Sequence, residues 1–334
     1  MSFSLVRAMA TASAAAVLAV PLLHAPAQAA AAEYVALGDS YSSGTGTRSY
    51  IADGTSCQRS TKAYPSLIAA ARGYSLNFRA CSGARIPDVT NTQLSALTAA
   101  TSFVTISVGG NDAGFADVLT ECAKPGWMSN CNGAVDRAQA FINNALPGQL
   151  AGLYAAIRSR APNAQVVVAG YPRIFNGEDC NAATFFSPAE EIRLNQTADL
   201  LNSRTSTQAA AAGFGYANPT SAFIGHAVCD NPEWLNGLSN PISESYHPNV
   251  AGHASGYTPT VSGVLTGVAL QVTGAMRRTS AASASSQAAT QRQYAAADRS
   301  IRPKEFTAPD LTSKAARVAA RKAGIDLEKW VARH

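Results

Sequence analysis

Short runs of β-branched and other apolar residues, each bounded by turn formers, alternate along this chain with longer stretches whose apolar positions recur at helical spacing. The runs Tyr34 to Leu37, Leu76 to Arg79, Phe103 to Val108, Gln165 to Ala169 and, more weakly, Phe214 to Ala217 predict strands. Tyr64 to Arg72 follows a Ser60-Thr61 start signal, and Ala134 to Ser159 keeps apolar residues on one helical face. Pro188 to Ala212 opens on Ser187-Pro188 with an acidic first turn. Five strands interleaved with helices predict an α/β fold, a three-layer α/β/α sandwich around a mostly parallel sheet, in one domain from 32 to 274.

The pattern changes at both ends. Residues 1–29 carry Arg7 as the only early charge, then a mostly apolar run from Ala12 to Leu23 and small residues around Ala27-Gln28-Ala29. Pro21 and His24 interrupt the run short of the roughly 20 residues a membrane span needs, so it reads as a secretory signal peptide cleaved near Ala29, with no transmembrane segment in the mature protein. From 275 to 311 the residues are largely Ala, Ser, Gln and Thr, a composition with little to bury and therefore a linker. Residues 312–334 hold helix formers and the apolar Val318, Ile325, Leu327, Trp330 and Val331, interrupted by Gly324, which predicts a short basic helical tail.

Charge sharpens this division. Of the net +5, the part from Ala275 onward holds +7 and everything before it −2, so the body has no basic stripe for phosphates and a nucleic-acid partner is not expected. The tail's charge leaves open a solvated appendage or attachment to an anionic surface or a partner. Six cysteines in an exported chain predict three disulfides. About 15 connectivities exist for six cysteines; neighbour pairing of Cys57 with Cys81, Cys122 with Cys131 and Cys180 with Cys229 closes only local loops and is the expectation. No C-x-x-C and no closely spaced histidine pair is present, so neither a metal nor another cofactor is expected.

Candidate chemistry lies at strand ends. The first strand runs into Gly38-Asp39-Ser40, and a serine at the carboxyl end of a strand stands where open α/β sheets bind ligands. The G-x-S-x-G elbow is absent, since Ser42 occupies the place of its second glycine. Gly83 follows the second strand, and Gly109-Gly110-Asn111-Asp112 follows the third. The N–H of Ser40, the N–H of Gly83 and the amide of Asn111 form a candidate set of donors for the oxyanion of acyl transfer. Three histidines are available as base in the domain: His226, His247 and His253. His247 lies in the late polar loop Ser243 to Asn249 and is the candidate; the other two read as loop or structural residues.

These four blocks, in this order between Val35 and Gly256, resemble the SGNH or GDSL hydrolases, and most closely the secreted actinomycete lipases and esterases, which also carry three disulfides and a GDSYSSG opening. The resemblance implies a flavodoxin-like sandwich with a five-stranded sheet, a serine nucleophile at Ser40, a base at His247, and an oxyanion hole completed by Gly83 and Asn111. The family's last block usually holds an aspartate three residues before the histidine, where this chain has Glu244. Either Glu244 or, as in some relatives, a main-chain carbonyl, here that of Ser245, is expected to orient the imidazole, and the carbonyl is the favoured of the two. The implied activity is that of an extracellular, monomeric lipase or esterase, including phospholipase A, on an ester or lipid substrate; Phe185, Phe186, Phe223, Trp127 and Trp234 are candidates for an acyl groove, although packed core is the favoured reading of each. A carbohydrate acetylesterase and a non-catalytic binding module are the alternatives. Acyl-chain preference separates the first from a lipase, and the intact blocks argue against the second.

Overall fold

The apolar runs become β1 (Glu33–Gly38), β2 (Ser75–Phe78), β3 (Phe103–Ser107), β4 (Gln165–Ala169) and β5 (Gly215–Ala217) in a computed structural model that describes residues 1–5 and 30–333. Residues 6–29, the heart of the expected signal peptide, lie outside the described residues. The strands form one sheet in the order β2-β1-β3-β4-β5 with every pairing parallel. That is the flavodoxin-like order, which needs a crossover between successive strands and a switch point beside β1. Each strand begins and ends within one or two residues of its expected bounds. β-Branched residues crowd the central strands, and Val166, Val167 and Val168 are all buried because helices cover both faces.

Helix α1 (Ser40–Ser43) follows β1, and α2 (Tyr64–Arg72) and α3 (Ile86–Asp88) flank β2. The chain continues through α4 (Phe115–Cys122), α5 (Cys131–Asn144), α6 (Leu146–Arg160), α7 (Pro188–Ala211) and α8 (Thr258–Thr266). Helices α2 and α8 pack together over one face, while α5, α6 and α7 form the other layer. The single helix expected from Ala134 to Ser159 is two, because Pro147 has no N–H to give and its ring collides with the preceding turn. Helix α7 starts where Ser187 and Glu190 form a reciprocal cap: the Ser187 hydroxyl accepts from the Glu190 N–H, and Glu190 Oε2 accepts from the Ser187 N–H at 2.8 Å. The three disulfides are Cys57–Cys81, Cys122–Cys131 and Cys180–Cys229, the neighbour pairing expected. Among the described residues no helix is long and apolar enough to cross a membrane.

Where composition predicts a linker, the chain instead forms α9 (Gly274–Ala282), α10 (Ala284–Arg292) and α11 (Ala295–Asp298), laid against α2 and β2. Their buried face is Ser280, Gln287, Ala288, Gln291, Ala295 and Asp298, a helical repeat made mostly of polar side chains. Each polar member finds a partner: Ser280 donates to the Thr61 carbonyl, Gln291 donates to Asn77, and Ser66 donates to Gln287. Asp298 accepts from Arg79 Nη2 and from Arg59 Nη2, both at 2.7 Å, and all three side chains are fully buried. Hydropathy cannot register such a face. Two short helices, α12 (Lys314–Lys322) and α13 (Leu327–Val331), follow, with Trp330 edge-on to Trp127.

Candidate active site

Ser40 opens α1 directly beyond the carboxyl end of β1, and the turn that places it is built by its neighbours. Gly38 has φ +118°, and a Cβ there would meet the Ser107 carbonyl oxygen at 2.3 Å, so the strand can turn here only without a side chain. The buried Gln93 amide clamps the same residue from both sides, accepting from the Gly38 N–H at 2.7 Å and donating to its carbonyl at 2.9 Å. Asp39 caps α1 through the Tyr41 N–H and accepts from the Ser107 hydroxyl at 2.6 Å and the Tyr171 hydroxyl at 2.5 Å. Burial pushes its carboxyl up to about 6, against the downward pull of those three donors.

His247 reaches Ser40 from the far end of the domain. Its Nε2 lies 2.8 Å from Ser40 Oγ, and its Nδ1 lies 2.9 Å from the Ser245 carbonyl oxygen. That second contact fixes the tautomer: Nδ1 carries the proton and donates it to the carbonyl, which leaves Nε2 to accept from the serine. Burial lowers the imidazole to about 4, partly offset by the Ser245 carbonyl. The loop is held by pairs across it, with Asn236 N–H donating to the His247 carbonyl and Tyr246 N–H to the Asn236 carbonyl, both at 2.9 Å. Tyr41 lies beside the imidazole and donates its hydroxyl to the Tyr246 carbonyl at 2.8 Å. Tyr246 sits at φ +61°, a strained setting for an aromatic residue, sustained by these bonds.

Glu244 does not meet His247. It is buried with Oε1 accepting from the Tyr50 hydroxyl at 2.5 Å and Oε2 3.3 Å from Arg48 Nε, so of the two candidate orienting groups it is the favoured Ser245 carbonyl that stands at Nδ1. His226 stacks on Trp234 at 3.7 Å, and the buried His253 accepts from the Tyr64 N–H. Burial pushes His253 down to about 3, so it stays neutral.

The loops carrying Gly83 and Asn111 are tied together beside Ser40. Asn111 Nδ2 donates to the Ala84 carbonyl at 3.1 Å, which leaves a second N–H on the same nitrogen. Asp112 accepts from the Ile86 N–H, and burial raises its carboxyl to about 6. Gly83 has φ +82°. Ser40, Gly83, Asn111 and His247 line one common cleft. A second, apolar cleft opens beside Ser40, between α4, α5 and α7, lined by Tyr41, Phe115, Leu119, Ile174 and Leu201 among others. The five aromatics named as groove candidates are packed instead, the favoured reading of each: Phe186 and Phe223 are core, Trp234 packs on Phe223, and Phe185 and Trp127 pack on Trp330. Sequence reasoning also passed over Gln93, Ser107 and Tyr171, single residues in no motif whose partners are far along the chain.

The parallel sandwich and the polar groups converging at its carboxyl edge, beside an apolar cleft, define a carboxylic ester hydrolase. The chain matches the GDSL-like Lipase/Acylhydrolase family over residues 36–255 and belongs to it. It is 46% identical over 241 residues to lipase 1 of Streptomyces coelicolor, spanning 71% of this chain and 88% of that protein. Among solved structures it is similar to the phospholipase A1 from Streptomyces albidoflavus NA297, at 45% identity and a TM-score of 0.66. It is also similar to the extracellular lipase from Streptomyces rimosus, at 44% identity and 0.67. Each alignment covers 70% of this chain and 100% of the other. The chain is thus a lipase or esterase, and the family implies Ser-His catalysis and a lipid ester substrate.

Proposed function

We propose that this protein is a secreted serine lipase or phospholipase A in which Ser40 attacks the ester carbonyl and His247 is general base and then general acid. The observation that carries the reading is the pair of contacts on one imidazole, Nε2 to Ser40 Oγ and Nδ1 to the Ser245 carbonyl. His247 takes the serine proton as the Oγ–carbonyl bond forms. The N–H groups of Ser40, Gly83 and Asn111 receive the oxyanion. The imidazolium then protonates the departing alcohol, and water deacylates the enzyme by the same steps reversed. The Ser245 carbonyl accepts the Nδ1–H throughout and stabilises the imidazolium less than a carboxylate would. The apolar cleft suits an aliphatic acyl chain, which favours lipid esters over acetylated sugars. Three disulfides and an extracellular relative support secretion.

The test is labelling by a fluorophosphonate together with turnover of p-nitrophenyl esters of increasing acyl length, Ser40→Ala serving as control. Labelling lost with Ser40→Ala, and hydrolysis that persists to medium or long chains, is the expected result. Near-normal turnover by Ser40→Ala would remove the serine assignment, and activity confined to acetate would point to an acetylesterase. Asn111→Ala is expected to lower kcat about 10²-fold, as loss of one oxyanion donor does elsewhere.

A further inference from the structure

The cleft that contains His247 has two walls from different parts of the chain. One is the catalytic loops; the other is Pro303, Lys304 and Phe306, from a segment beyond the family match that ends at residue 255. The segment is anchored before it arrives, by Asp298 between Arg59 and Arg79, and Ile301 is buried. Pro303 then lies against Gly83 so closely that a Cβ on the glycine would meet its Cα at 2.4 Å. Phe306 is buried with its ring edge-on to Tyr246, centroids 5.0 Å apart. Lys304 pairs with Asp117 at 2.5 Å, and the Thr307 N–H donates to Thr120 at 3.0 Å, which pins the far side.

Chemistry assigns the clefts. The group that protonates the leaving oxygen is His247 Nε2, so the alcohol half of the ester lies in the cleft containing His247. The acyl half then occupies the apolar cleft, which His247 does not line. From this placement, and resting on the Ser40–His247 reading above, we propose that Pro303 and Phe306 are specificity-determining residues for the leaving alcohol. The segment from Ile301 to Thr307 is a roof over that side of the site. Esters of short alcohols fit beneath it, whereas a diacylglycerol leaving group requires its displacement. The roof discriminates between alcohols in acylation alone, because every ester of one acid yields the same acyl-enzyme once the alcohol has gone.

The full chain is assayed with ethyl octanoate and trioctanoylglycerol in the same detergent, a pair with a common acyl group and uncharged alcohols. Phe306→Ala and Lys304→Ala are compared with the unsubstituted chain. Both are expected to raise the ratio of kcat/KM for trioctanoylglycerol over ethyl octanoate, Phe306→Ala by about tenfold, within the range a changed apolar contact gives. Lys304 is 58% exposed, so its replacement loosens the roof without opening the core and carries the test if Phe306→Ala fails to fold. A ratio within about twofold of the starting value in the folded variants, or equal changes on both substrates, would overturn the roof while leaving the Ser40 reading intact. No turnover of either ester by the unsubstituted chain would overturn that reading and the roof with it.

Discussion

Ser245 offers its carbonyl to His247 while the adjacent Glu244 is committed to Tyr50 and Arg48, and the difference is testable in a single atom. Glu244→Gln keeps an acceptor for the Tyr50 hydroxyl, so kcat is expected to fall less than about tenfold. Replacing an acid that orients the histidine costs about 10⁴ in a Ser-His-Asp site. Steady-state kinetics at one pH separates the two. The pH profile follows from the buried imidazole. Its base-competent neutral form exists above its pKa, which burial lowers to about 4. For an ester that does not itself ionise, kcat/KM is expected to hold from neutrality to near pH 5 and fall through about 4; a limb at 6.5 would contradict this burial. The residues proposed to react could be singled out because Ser40, Gly83, Asn111 and His247 sit in short blocks of unusual composition. The orienting group was not settled by side-chain identity, since a carbonyl is present at every position and only the left-handed Tyr246 aims this one. Gln93 was invisible for a related reason: its role is defined by Gly38, whose place beside it exists only after the sheet forms.

Strand and helix positions followed closely from period and punctuation, and the departures have local causes. Pro147 divides one long helical pattern into α5 and α6. The extension misled because α9 to α11 dock through hydrogen bonds and charges, not through apolar area. Hydropathy measures only what water repels, so a face built from Ser280, Gln287, Gln291 and Asp298 reads as solvated until Arg59, Arg79 and Asn77 are placed opposite it. The cost of breaking that face is correspondingly electrostatic. Asp298→Asn leaves the buried Arg79 without its carboxylate and Arg59 with Asp53 alone, and is expected to destabilise the protein by about 3–5 kcal/mol. Chemical denaturation measures it, and hydrogen exchange over residues 274–298 should rise in the same variant; a loss under about 1 kcal/mol would show that water already screens the cluster.

For the molecule as a whole, three carboxyls desolvated by burial favour the folded state at low pH, against His247 and His253, whose lowered values favour it at higher pH. Asp39 and Asp112 are raised to about 6 and Glu191 to about 7, in each case chiefly by burial. Carboxyls with raised pKa values bind protons more tightly folded than unfolded. Their contribution is therefore complete below the ordinary values near 4 and is lost as pH rises through 6 to 7. Glu191→Gln retains an acceptor for the Gly177 N–H, bonded at 2.8 Å, and removes the proton. Its Tm at pH 8 relative to pH 5 is expected to be higher than that of the unsubstituted chain, and an unchanged difference would show that Glu191 is ionised throughout. The three-layer sandwich itself was legible as a whole because alternation of strand and helix patterns leaves few right-handed arrangements. The packing of the extension has one more consequence. All three disulfides lie before residue 230, so only the backbone through the largely exposed stretch 267–273 joins residues 274–333 covalently to the catalytic body. A single cut there would turn the roof from a tethered segment at high effective concentration into a dissociable ligand, and occupancy of the site would then fall on simple dilution.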